Sequence, residues 1–471
     1  MDQVPSQDVI LPAPAGTPDD QGLTRRQALG LGIVGFAGAA ALASACYRTL
    51  CAMRANKVAG GASSAAPGLP GAVPQPGGAA PAAAPAGKSA SVFKQDAPTG
   101  ELWELWQKRG WAREAKRYVT LGRNVQCQIC PNRCLLEPGD RSHCRNRVNK
   151  GGKLYTLAYG NPCALHVDPI EKKPLFHFLP GSGAFSLATA GCVLRCLNCQ
   201  NWDISQKKPE ETKLATGEEI RPKPEGLVRL SDSGHARYSL FPEDVVAAAE
   251  YFQCASIAYT YSEPIAYYEY MYDTARLARA RKIRNVWITC GFINEEALVD
   301  LCQYLDAANV NLKSFSDDIY RTLNEGALQP ILDTLKTLKK NGVWFEVTNL
   351  VVPTYTDKPD MMRRMCDWLV KNIGPDYPLH FSRFHPMYKL THLSPTPLDI
   401  LLEARDIARN AGLRHVYIGN VRGVEGAEAT FCPGCKKAVI ERDVFSVTAL
   451  RVKHGKCESC GKAIPGVWQD A

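Results

Sequence analysis

Phe185-Ser186-Leu187-Ala188-Thr189-Ala190-Gly191-Cys192-Val193-Leu194-Arg195-Cys196-Leu197-Asn198-Cys199 decides how the rest of the chain is read. Phe185–Thr189 is apolar and β-prone, so it predicts a strand. The loop that leaves it carries three cysteines in C-x3-C-x2-C spacing. Three thiolates on one short loop suit three irons of a cubane iron–sulfur cluster, with the fourth iron left open to a small molecule. A structural zinc wants a fourth ligand close by, so zinc and a chance grouping are the alternatives.

Downstream, strand-like and helix-like segments alternate. Strands are predicted at Ser256–Thr260, Val286–Cys290, Val310–Lys313, Val343–Val352, His380–Phe384 and His415–Ile418. Helical length and spacing fall at Pro242–Phe252, Ile265–Arg281, Glu295–Leu305, Leu328–Lys340, Asp360–Lys371 and Leu398–Ala411. This alternation predicts an α/β fold of βαβ units on a parallel sheet, open or closed as a barrel. Ligands of such sheets gather at the C-terminal strand ends, where the three-cysteine loop falls.

Longer motifs surround the loop: Asp168-Pro169-Ile170-Glu171-Lys172-Lys173-Pro174, His177-Phe178-Leu179-Pro180-Gly181 and Cys199-Gln200-Asn201-Trp202-Asp203-Ile204-Ser205-Gln206. Tyr259-Thr260-Tyr261-Ser262-Glu263-Pro264 and Ser382-Arg383-Phe384-His385-Pro386-Met387-Tyr388 follow. With the C-x3-C-x2-C loop, they resemble the AmmeMemoRadiSam-system radical SAM enzymes, relatives of pyruvate formate-lyase activating enzymes. The resemblance runs from about Cys127 to Trp468 and implies a partial parallel (β/α) barrel. It implies a 4Fe–4S cluster on Cys192, Cys196 and Cys199 that binds S-adenosylmethionine (SAM). One-electron reduction would split SAM to methionine and a 5′-deoxyadenosyl radical that takes hydrogen from a substrate. A low-potential donor such as flavodoxin or ferredoxin is the implied partner.

The resemblance also implies roles for single residues. Glu263 stands where the family binds the SAM amino group, an ammonium that needs an acceptor; the alternative is a solvated glutamate at a helix start. Thr289 stands where the SAM ribose or carboxylate is met. Lys313 is expected to end its strand beside the cofactor, although relatives read Asp-x-Lys and this chain has Asn311. His385 either lines the site or packs as a structural histidine. Asn198 replaces the usual aromatic residue against the adenine, and Trp202 is a candidate for the missing face, with an ordinary core tryptophan as the alternative.

Two further cysteine groups flank this region. Cys432-x2-Cys435 and Cys457-x2-Cys460, with 21 residues between the pairs, form two knuckles suited to one tetrahedral ion. A zinc-ribbon-like structural tail is the reading, with rubredoxin-type iron as the alternative. Cys127-x2-Cys130-x3-Cys134-x9-Cys144 offers four more thiolates, for zinc or an auxiliary cluster. It lies in a region (Glu101 to Ala158) with 12 lysines and arginines against 5 acidic residues. A nucleic-acid grip is one reading of that surplus; a solvated face, or compensation for thiolate charge, is the favoured one. Cys163, Cys254, Cys290, Cys302 and Cys366 read as small buried hydrophobes.

The 471 residues, 45% hydrophobic and 22% charged with net charge +9, describe a globular protein with ample core material. Eighteen cysteines, eleven of them in three tight groups, exclude a metal-free enzyme as the leading idea and speak against a disulfide scaffold. Arg25-Arg26, a Gly/Ala-rich run from Leu29 to Ala45, and Ala43-Ser44-Ala45 before Cys46 form a twin-arginine-type leader with a cleavage site. Lipidation at Cys46 and an uncleaved anchor are alternatives. The run is too weakly apolar for a dedicated spanning helix, so no integral membrane domain is expected beyond the leader. The expected organisation is leader 1–46, disordered Ala/Gly/Pro linker 47–100, basic four-cysteine module 101–160, radical SAM domain 161–423 and tail 424–471. Export to the envelope is expected, periplasmic or membrane-associated. The alternative is the cytoplasm, where SAM and reductant are supplied. The substrate is expected to be a protein or a small molecule. A glycyl-radical activase, an RNA-modifying enzyme and a non-catalytic metal- or nucleic-acid-binding protein are the competing readings.

Overall fold

The computed structural model of the chain describes residues 91–212 and 239–469. The anticipated leader and most of the linker lie outside the described residues. Among the described residues no helix is long and apolar enough to cross a membrane.

The sheet has eight strands: β1 Ala164–Pro169, β2 Gly183–Ala188, β3 Ser256–Tyr259, β4 Arg284–Thr289, β5 Ala307–Asn311, β6 Trp344–Val351, β7 Leu379–Arg383 and β8 Val416–Gly419. Each pairs with the next in sequence, so spatial order repeats chain order. All pairs are parallel except β1–β2. The two end strands do not pair, which leaves the open, partial (β/α) barrel that was anticipated. The crossovers are helical: α1 Pro242–Tyr251, α2 Tyr268–Ala280, α3 Glu295–Cys302, α4 Gln329–Lys340, α5 Pro359–Asn372 and α6 Leu398–Asn410. Three of them start on a proline in the first turn, where its missing N–H costs nothing.

Outward-facing strand residues such as Leu187, Ile257 and Trp287 join the helices in one large apolar cluster. On the inner face, Ala184, Ala258, Val286 and Ala307 are small and pack against Ile170, Leu175, Phe178 and Leu179. These four come from the β1–β2 connection, so that segment plugs the N-terminal end of the barrel.

Three expectations are corrected. The strand expected to end at Lys313 stops at Asn311, and Lys313 lies two residues beyond it. The linker expected to reach residue 100 ends earlier. Phe93 exchanges backbone hydrogen bonds with Arg141, Ala97 donates to Gly139 O, and the helix Gly100–Lys108 has begun. Apolar Phe93 and Ala97 give this stretch something to bury, which the Ala/Gly/Pro run before it lacks. Third, the four-cysteine module is not packed apart from the barrel: Val125, Ile129 and Leu136 belong to the barrel's own cluster, while Trp106, Trp111, Val148 and Leu157 form a smaller cluster of their own. Two of the module's arginines also turn inward. Arg141 meets Asp96 at 2.9 Å and also Glu210, while Arg147 forms a two-bond pair with Glu269 at 2.8 and 2.9 Å.

Candidate functional site

The three-cysteine loop leaves the C-terminal end of β2, as the sequence reading required. Gly191 turns it with φ +94°. That loop is held from several sides by bonds to its backbone. Asn146 Nδ2 donates to Ala190 O at 2.5 Å and Asn132 Nδ2 to Val193 O at 2.8 Å, both from the four-cysteine module. Arg195 N and Leu197 N donate to Asn324 O and Leu323 O at 2.9 Å, and Lys389 N to Leu197 O at 3.0 Å. Cys196 is buried, and Cys192 and Cys199 are half-buried. Burial, Glu263 and the neighbouring thiols push Cys192 well above the ordinary thiol value, and Cys199 is pushed up to about 11. Binding a metal here therefore displaces protons.

Two of the other anticipated residues converge on the loop, each with an unforeseen detail. Glu263 is buried, not solvated. Its carboxylate accepts from Thr289 Oγ1 and Cys290 N, each at 2.7 Å, and from Ile265 N at 3.3 Å. Burial raises its pKa against those bonds. Thr289 is thus tied to Glu263, and Asn311 contributes by donating from Nδ2 to Thr289 O at 3.1 Å. Lys313 is buried within electrostatic range of the thiols. Burial disfavours its ammonium, yet Cys196, Cys290, Cys192 and Cys199 together raise its pKa. Its backbone N–H donates to Tyr320 Oη at 2.9 Å.

The remaining candidates fall differently. His385 is exposed on the loop after β7, so it is not a packed structural histidine. Trp202 is neither core nor free: it is 40% exposed and stacks on Tyr388 at 5.6 Å. Asn198 is buried, with an Oδ1 that has no hydrogen-bond partner. An orphaned acceptor beside the third cysteine fits a ligand with donors, such as a base edge, better than it fits packing alone.

Two features escaped the sequence reading. Cys290, read as a small hydrophobe, sits among Glu263, Cys192 and Lys313. Its position one residue past β4 was the available signal. Tyr261 has φ +61°, a strained conformation for an aromatic residue. Its carbonyl accepts from Asn201 Nδ2 at 2.6 Å, just after the loop. Its hydroxyl donates to Asp168, which also holds Lys173 Nζ at 2.5 Å. Tyr261 thereby links the cysteine loop to a buried Asp–Lys pair.

The flanking groups differ in geometry. In the tail, the sulfurs of Cys432, Cys435, Cys457 and Cys460 all lie within 4.8 Å of one another. Cys432–Cys460 and Cys435–Cys457 are 3.5 and 3.8 Å apart. Zn–S bonds of about 2.3 Å in a tetrahedron put sulfurs about 3.8 Å apart, so the set fits one such ion. The tail is stitched to the N-terminal end of the barrel, opposite the loop. Arg442 Nη2 donates to Phe176 O at 2.7 Å, and Val467 exchanges 2.8 Å backbone bonds with His177 and Leu179. A cavity of about 770 Å³ at this seam, lined by Arg405, Arg409, His415 and Lys436, is remote from the cysteine loop. Cys127, Cys130, Cys134 and Cys144, by contrast, line a small cavity together with Val193 of the loop.

A family model described as Radical SAM superfamily matches residues 186–369. An uncharacterized protein of Methanocaldococcus jannaschii is 44% identical over 355 residues, covering 75% of this chain and 98% of the relative. The pyruvate formate-lyase-activating enzyme of Clostridium pasteurianum is 24% identical over 185 residues, 39% of this chain and 67% of that protein. Among solved structures, a radical SAM methyltransferase from Sphaerobacter thermophilus aligns with TM-score 0.35 and 13% identity, over 52% of this chain and 69% of that one. With a near full-length relative at 44% identity and the family model running from β2 into α5 across the cysteine loop, the chain belongs to the radical SAM superfamily.

Proposed function

We propose that Cys192, Cys196 and Cys199 hold a 4Fe–4S cluster and that the chain binds SAM beside it to act on a protein or small-molecule substrate. The observation that carries this reading is the three-cysteine loop at the C-terminal end of β2. When bound, cluster and SAM supply reductive cleavage of the sulfonium and hydrogen abstraction from substrate. The chain's own part is positional and electrostatic. The Lys313 ammonium offsets thiolate charge. Glu263 accepts the SAM ammonium or, through Thr289 and Cys290, orders the strand end that meets it. Asn198 Oδ1 receives a donor of the adenine. His385 borders the mouth. A low-potential donor, flavodoxin or ferredoxin, supplies the electron.

The finer resemblance to AmmeMemoRadiSam-system enzymes belongs to this proposal, as do a structural zinc in the tail and delivery to the envelope by the leader. A second reading, glycyl-radical activase, is favoured by the similarity to a pyruvate formate-lyase-activating enzyme. Anaerobic reconstitution, reduction and assay for methionine release from SAM tests the main reading. Cleavage by the wild type and none by Cys192→Ala/Cys196→Ala/Cys199→Ala is expected. Equal cleavage by both would overturn it. A stable glycyl signal raised in a candidate partner by the reduced enzyme would select the activase.

A further inference from the structure

Cys127, Cys130, Cys134 and Cys144 have no part in the reading above, yet their placement is specific. All four are buried, at 4 to 7% exposure, and none is in a disulfide. They line one enclosed cavity whose other walls include Ile129, Val193 and Ile265. Four thiols facing one another in an apolar cavity are not explained by packing.

Geometry separates the two kinds of centre. Around a single zinc, four sulfurs share one ion and crowd to about 3.8 Å. On a cluster each sulfur has its own iron, and the sulfurs stand farther apart. Among the described residues, only the tail cysteines are a set of three or more whose ligand atoms all lie within 4.8 Å. The four buried cysteines are spaced more widely, as is the loop triad. The pattern agrees: the tail has two C-x2-C knuckles, this group a single one followed by Cys134 and the distant Cys144.

We infer that Cys127, Cys130, Cys134 and Cys144 hold a second iron–sulfur cluster, set directly against the cysteine loop. The contact between the sites is immediate. A methyl group on Gly191 would meet Cys144 O at 2.5 Å, Asn132 holds Val193 O, and Val193 lines the cavity. Arg147, buried and paired with Glu269, lines the same cavity and offsets the charge of a four-thiolate cluster.

The test uses the full chain, reconstituted anaerobically and analysed for iron, acid-labile sulfide and zinc. Cys192→Ala/Cys196→Ala/Cys199→Ala is expected to keep half the wild-type iron and sulfide, with an EPR signal after reduction that ignores SAM. Cys130→Ser/Cys134→Ser, which leaves only two thiols and keeps side chains of similar size in place, is expected to lose the complementary half and keep the SAM-responsive signal. A sulfide-free triple variant, or wild type carrying two zinc ions in place of one, overturns the second cluster and leaves the loop assignment standing. Undiminished iron and sulfide in the triple variant sinks the loop assignment and supports the second cluster.

Discussion

Replacing Gly191 by alanine probes the join between the two cysteine sites with the smallest possible change. Gly191 has φ +94°, where a side chain is strained by roughly 1–2 kcal/mol. Its new Cβ would also lie 2.5 Å from Cys144 O and 2.7 Å from Asn146 Oδ1. The first of these is backbone and cannot rotate aside. Asn146 cannot easily yield either, because its Nδ2 holds Ala190 O at 2.5 Å. Relieving such a contact costs a further ~1–3 kcal/mol. The expected destabilisation is therefore about 2–5 kcal/mol. Gly122→Ala is the matched control: φ is +65°, but nothing lies within 4 Å of the added carbon. It should cost only the conformational part, about 1–2 kcal/mol. Urea unfolding followed by fluorescence reports on buried Trp106 and Trp111, which sit against the four-cysteine module. The Gly191→Ala midpoint should fall well below that of Gly122→Ala, and its iron content after reconstitution should drop while the control loads fully. Equal midpoints and equal iron in the two variants would refute the claim that the loop is clamped on the module.

Glu269→Gln strands the buried Arg147 guanidinium, for an expected loss of about 3–5 kcal/mol in thermal or urea unfolding. Burial raises the Glu269 carboxyl, but Arg147 and the hydrogen bonds outweigh it and leave the pKa lowered. Its contribution is thus present above the unfolded carboxyl value of about 4.3 and is lost as pH falls through the folded value, so the variant should show a flatter acid limb than wild type. Glu263→Gln turns one acceptor into an N–H₂ facing Thr289 or Cys290 N–H; a loss of about 1–3 kcal/mol and weaker SAM binding by calorimetry are expected, and wild-type values in both would return Glu263 to an idle position. Cys432→Ser/Cys435→Ser should lose one equivalent of zinc by mass spectrometry and expose the tail to trypsin, while SAM cleavage survives in part; metal release from wild type should grow as pH falls, because the ligands must be thiolates.

The barrel was legible because its strands and helices are local. Ser256–Tyr259 is a short run of strand length, Trp344–Val351 is rich in aromatic and β-branched residues, and Gln329–Lys340 keeps helical spacing. β1 was missed because Asp168 and Pro169 interrupt a short edge strand that pairs antiparallel, outside the βαβ rhythm. At the site, the three loop cysteines were readable because their spacing is local in the chain. Lys313 was readable by position, but its approach to the thiols depends on the two residues by which it overshoots β5. Cys290 was signalled only by its position just past β4, and Tyr261 was not readable, since their surroundings come from neighbours remote in sequence: Glu263 for one, Asp168 and Lys173 for the other. The same holds for the contact of Cys144 with Gly191, two residues separated by 46 positions of chain and joined only by tertiary packing.

Part of the basic surplus of the four-cysteine module has its explanation in that packing. Of its arginines, Arg141 and Arg147 are about 1% exposed, so they are not a surface for an acidic partner. Carboxylates satisfy both, Asp96 and Glu210 for one and Glu269 for the other. Arg145 is different. Burial and Arg195 disfavour its charge, while Cys192 and Cys144, one from each cysteine site, favour it. Its Nη2 donates to Gln206 Oε1 at 3.2 Å, and its guanidinium lies over the Phe93 ring, as does that of Arg195, which also meets Glu325 at 3.9 Å. The arginine that buried carboxylates leave unmatched therefore stands at the seam of the two cysteine groups, held by an amide and a ring instead of being offered to an acidic partner.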